Sequence, residues 1–156
     1  MKKAIFLFSL IVMATTNSFA QNTKPKRELI KNGNAQIETF VYGKGSVSLI
    51  LAAGNGRPAT QFEELATAIA ANGIQVITYN YRTLGASTGE IKDLTLHDYA
   101  NDLMKIIEYY KLKKVYLGGK TYGNRVVRTT SQDHPDNIAG IILIGAGGNV
   151  QPSAET

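Results

Sequence analysis

The alternation of strand and helix signals along one chain predicts an α/β fold. It is read as a mostly parallel sheet with an opening β-hairpin and flanking helices, truncated after the strand that follows the third helix. Two observations carry this. β-Branched apolar runs recur at residues 47–51, 74–79, 115–118 and 138–144, and stretches with helical apolar spacing separate them. Gly73 and Pro135 stop two of those helices. Strands separated by helices pair in parallel through right-handed crossovers.

Taken in order, residues 37–42 and 47–51 flank a Gly43/Gly45 turn and are expected to pair as the opening hairpin. Phe62, Leu65, Ala66 and Ile69 fall on one helical face, and Gly73 follows as a left-handed cap. Residues 74–79 read as a buried strand. Thr95 and Asp98 form a capping box for a helix with Leu96, Tyr99, Ala100, Leu103, Ile107 and Tyr110 on one face. Residues 115–118 are a short strand. Gly123, Val126, Val127 and Thr130 mark the apolar face of the third helix, and residues 138–144 are a last buried strand.

Residues 1–20 have the parts of a secretory signal peptide. Lys2 and Lys3 supply the charge, and the apolar run over residues 4–14 is short beside the ~20 residues a membrane span needs. Ser18 and Ala20 place small residues where signal peptidase reads, so cleavage is expected before Gln21. Export to the periplasm or beyond the cell follows, with no stable membrane insertion after cleavage. The rest divides into a flexible segment at 21–35, one domain at 36–150 and the start of a cap or linker at 151–156. A domain of this size buries roughly two-thirds of its unfolded surface.

Cysteine is absent, so neither a disulfide nor a cysteine-borne lipid contributes, and stability rests on the core. Two of the five net positive charges belong to Lys2 and Lys3. Lys24, Lys26 and Arg27 cluster around Pro25 without interleaved aromatics, which suits a solvated tail and not a nucleic-acid surface. His97 and His134 stand far apart, so no metal site is expected, and no cofactor is required. The expected partner is a small-molecule substrate. The oligomeric state is not legible.

Ligands of such sheets bind beyond the carboxyl ends of the strands. Loops 54–58, 81–89 and 119–123 lie there. Gly119, Lys120 and Thr121 resemble the end of a P-loop, but the glycine that motif needs earlier is Lys114, so the loop is too short to wrap a phosphate. The alternative is a nucleophile elbow, a sharp strand-to-helix turn flanked by Gly119 and Gly123.

Further stretches keep the same order. Ala53, Gly54 and Asn55 end the strand at 47–51; Tyr81, Arg82, Thr83, Leu84, Gly85, Ala86 and Ser87 form the next loop. Residues 95–103, His134 with Pro135, and residues 141–148 follow. Across residues 36–148 the chain resembles the α/β-hydrolase superfamily. That resemblance implies Thr121 at the nucleophile position and the amides of Asn55 and Tyr122 as the oxyanion hole. It also implies a catalytic acid and histidine on strands and loops after residue 156.

The chain departs from the family pattern in instructive ways. Thr121 stands where serine is usual, and its β-branch suits the strained elbow poorly. Ala53 replaces a turn histidine and Thr83 a glycine. His97 reads as a surface residue and His134 as the end of the third helix, remote from the elbow. Arg82 reads as a tie between loops. Residues 138–144 would be an unprotected apolar edge, which natural proteins avoid, so the chain is expected to be a fragment.

The leading functional reading is therefore an exported hydrolase of a small ester or related acyl substrate, inactive or incomplete as given. The second is a non-catalytic binding module in which Thr121 is a small polar turn residue; the β-methyl and the missing base favour that role in this stretch alone. The third is NADP binding, from the G-x-G-x-x-A pattern at Gly54, Gly56 and Ala59 with Arg82 beyond it. The leader makes a direct prediction: mass spectrometry of the exported protein should find a new N-terminus at Gln21, and a retained Met1 would contradict it.

Overall fold

The computed structural model describes residues 24–146. The expected leader and cap start lie outside them. Among the described residues the order is β1 (Lys26–Asn32), β2 (Ala35–Tyr42), β3 (Val47–Ala52), α1 (Glu63–Ala70), β4 (Ile74–Tyr79), α2 (Leu96–Tyr109), β5 (Val115–Lys120), α3 (Gly123–Asp133) and β6 (Ile138–Ile144). The strands form one sheet in the order β1-β2-β4-β3-β5-β6. β4, β3, β5 and β6 run parallel, and β1 and β2 are antiparallel additions.

The predicted fold class holds, but its opening hairpin is made differently. β2 pairs with β4, which separates it from β3. The hairpin is β1 with β2, from Lys26 opposite Val41 to Asn32 opposite Ala35. Segment 21–35 is thus not wholly flexible, and Lys26–Asn32 is a strand. Its composition conceals this because only Ile30 is buried. Polar side chains anchor the rest: Arg27 pairs with Glu38, and Asn32 Nδ2 donates to Asp102 Oδ1 at 2.7 Å.

The helices keep their expected faces with one exception. Leu65 is exposed, so α1 rests on Ala66 with Phe62 just ahead of it. The Thr95 capping box is complete: Thr95 N donates to Asp98 Oδ2 at 2.8 Å, and Asp98 N to Thr95 Oγ1 at 3.3 Å. Ala100, Leu103, Ile106 and Ile107 pack α2 inward, and Val126, Val127 and Thr130 do so for α3. β6 is less buried than its apolar sequence implies, with Ile141 and Ile142 exposed at the sheet edge among the described residues.

A buried polar network fixes the loop after β4. Glu38 Oε2 accepts from Asn80 Nδ2 at 2.7 Å and from Ala86 N at 2.8 Å, and Oε1 accepts from Arg27. Asn80 Oδ1 accepts from Ala59 N at 2.6 Å, which ties in the loop after β3. Ser87 Oγ donates to Asn80 O and accepts from Glu38 N, each at 2.9 Å. Burial alone would push the Glu38 carboxyl up, but the bonds from Ala86, Asn80 and Arg27 outweigh it and hold the group below its ordinary 4.5.

A depressed carboxyl stabilises the fold above the unfolded value, and that contribution is lost as pH falls through the lower folded value. Glu38→Gln should destabilise the protein by about 1–3 kcal/mol at neutral pH, because buried partners are left unmatched. It should also flatten the stability loss seen below pH 4.5. Urea melts across pH check this, and an acid limb identical to wild type would contradict it.

Candidate active site

Loops from the carboxyl ends of β3, β4 and β5 converge on the turn between β5 and α3. Thr121 occupies that turn at φ 51°. A β-branched residue is strained in the left-handed region, at a cost on the order of 1–3 kcal/mol. Its surroundings hold it there. A Cβ on Gly119 would lie 2.5 Å from the Gly123 carbonyl carbon and 2.6 Å from Asn124 N. A Cβ on Gly123 would lie 2.7 Å from the Ala52 carbonyl carbon and 2.8 Å from Ala53 O. Only glycine lets α3 start so close to both β5 and β3.

β6 clamps the turn from its other side. Thr121 N donates to Ile144 O at 3.1 Å, and Asn124 Nδ2 donates to the same carbonyl at 3.0 Å. Ile144 N returns a bond to Asn124 Oδ1 at 3.2 Å. Asn124 was not singled out from the sequence. Its signal was a polar residue three positions before Val127, on the buried side of the helix.

The β3 loop meets the elbow at Gly54. A Cβ there would stand 2.7 Å from Thr121 Oγ1 and 3.5 Å from Arg57 Cγ. Arg57 N donates to Gly54 O at 3.1 Å and closes a turn over Asn55 and Gly56. Tyr81 OH donates to Ala53 O at 3.0 Å. Burial pushes this phenol well above its ordinary value, so it stays protonated and remains a donor. The Tyr81 ring meets Tyr99 edge-on at 5.3 Å and Tyr122 at 6.2 Å, so one side chain joins all three loops.

Asn55 is exposed on the β3 loop, and Tyr122 caps the start of α3. Among the described residues neither main-chain N–H is taken by another backbone carbonyl. A cavity of ≈ 520 Å³ opens beside them, lined by Gly54, Arg57, Thr60, Gln61, Lys120 and Thr121 with Pro58. Asn55 and Tyr122 do not line it.

Both histidines sit at the far end of α3. His134 caps its C-terminus, and His97 Nδ1 meets Asp133 Oδ2 at 2.7 Å. Eleven helical residues place them roughly 15 Å from the elbow. Neither serves Thr121 as a base. Arg82 binds Asp102 through two bonds, Nε to Oδ2 at 2.8 Å and Nη2 to Oδ1 at 2.9 Å. It ties the β4 loop to α2 and is not free to select an NADP phosphate. Thr83, where a glycine was expected, has φ 67°. Among the described residues no group of three metal-ligating side chains forms, and no helix is long and apolar enough to cross a membrane.

Residues 48–156 match the family model for the alpha/beta hydrolase fold. The chain belongs to this family. It is similar to the proline iminopeptidase of Arabidopsis thaliana, 29% identical over 73 residues that cover 46% of this chain and 19% of that protein. It is also similar to the pyrrolizixenacetamide deacetylase of Xenorhabdus hominickii, 26% identical over 117 residues that cover 75% of this chain and 44% of that protein. The chain thus spans less than half the length of either relative. Among solved structures, the thioesterase domain from the curacin biosynthetic pathway superposes with a TM-score of 0.74 at 17% identity. That alignment covers 85% of this chain and 50% of that one, and shows the shared α/β hydrolase fold.

The elbow's packing makes a sharp prediction. Gly123→Ala should cost about 1–3 kcal/mol or more, because the clash is with rigid backbone. Urea melts measure this, and a wild-type midpoint would show that α3 does not need the glycine.

Proposed function

We propose that the protein is a hydrolase of a small ester or related acyl substrate, with Thr121 as its nucleophile. The observation that carries this reading is the Thr121 hydroxyl on a strained, glycine-flanked elbow at the wall of the cavity. Thr121 Oγ1 would attack the carbonyl carbon and pass its proton to a base. The amides of Asn55 and Tyr122 and the positive end of α3 would hold the oxyanion. The leaving group would depart with a proton, and water would then cleave the acyl-threonine. Neither described histidine reaches Thr121, so this proposal takes its base and acid from outside residues 24–146. Export remains part of it, supported by the leader at residues 1–20.

A second reading keeps the cavity without the chemistry, as a binding module. It draws on the β-methyl at φ 51° and on the distance of both histidines. Kinetics on the full-length protein with short p-nitrophenyl esters separate the two. Thr121→Ala should lower kcat/KM by about a thousandfold or more, and Thr121→Ser, which removes the crowding methyl, should raise it. Undiminished turnover in Thr121→Ala would remove the mechanism.

A further inference from the structure

The cavity beside Thr121 has a one-sided charge. Among the described residues, Arg57 and Lys120 line it and no aspartate or glutamate does. Arg57 Cγ and Thr121 Oγ1 both pack around Gly54, 3.5 Å and 2.7 Å from where its Cβ would stand. Lys120 directly precedes Thr121 in the chain. Four other cations, Lys26, Arg27, Arg82 and Lys105, each pair with a carboxylate. Among the described residues Arg57 and Lys120 do not. Gln61 adds a third donor to the wall, and its buried Nε2 has no partner among the described residues.

Two cationic residues at the wall of one concave site, with no acid in its described lining, raise the local concentration of anions. Arginine also binds planar oxyanions through paired N–H donors. We propose that the substrate carries an anionic group, a carboxylate or a phosphate, that seats against Arg57 and Lys120 while its acyl carbon faces Thr121. The inference rests on the hydrolase reading for its turnover, but not for its binding.

The test compares monomethyl adipate, which keeps one free carboxylate, with neutral dimethyl adipate on the full-length protein. The kcat/KM should favour the anionic ester by about tenfold or more, the scale of one charge-assisted hydrogen bond. That ratio should fall toward one in the Arg57→Gln, Lys120→Gln double variant, and also in wild type at high salt, which needs no variant to fold. Equal kcat/KM in wild type, with both activities lost in Thr121→Ala, would overturn the anion site and leave the hydrolase reading standing. If neither ester turns over, calorimetry with adipate and inorganic phosphate decides. Saturable binding lost in the double variant upholds the site while the hydrolase reading falls, and no binding of either ion overturns it. The tighter of the two ions identifies the anionic group.

Discussion

Backbone packs directly on backbone where α3 begins. Gly119 faces the first turn of α3, and Gly123 faces the carbonyls of Ala52 and Ala53, with no room for a side chain at either point. This close approach forces the chain to reverse within the three residues between them. Thr121 must then adopt the left-handed conformation and present its hydroxyl outward. The Asn124 side chain and the Thr121 amide fasten the same turn to Ile144. A strained residue persists only where its surroundings over-determine it, and here β3, β5, β6 and α3 all contribute.

The remaining loops are held by polar groups inside the protein. Glu38 and Asn80 bind the loops after β4 and β3 together, and the Tyr81 hydroxyl fixes Ala53 immediately before Gly54 and Asn55. Each bond is buried or nearly so, and each group that loses its partner pays the desolvation cost of that group. The geometry around Thr121 therefore depends on residues of β2 and β4 that do not line its cavity.

Much of this was legible in the sequence. The parallel strands, the Thr95 cap and the α3 face follow from period and capping chemistry. The elbow shows because a strand, Gly119, Gly123 and a helix come in fixed order. Other features were hidden for physical reasons. β1 is an edge strand among the described residues and has one buried side chain, so it reads as a polar tail. The partner of β2 depends on sheet order, which local alternation does not encode, and so the hairpin was assigned to β3. Glu38 sits in an alternating strand where a carboxylate ordinarily faces water; its partners at Asn80 and Ala86 are distant in sequence. The charge of the cavity emerges only when Arg57 and Lys120 are brought together by the fold.

The central claim is that the hydroxyl held at this elbow is a reactive nucleophile. The most direct measurement is active-site labelling of the full-length protein with a fluorophosphonate, followed by peptide mass spectrometry. A single adduct on Thr121, absent after heat denaturation, is the predicted result. A folded protein that stays unlabelled, or that carries the adduct on another residue, would contradict the account.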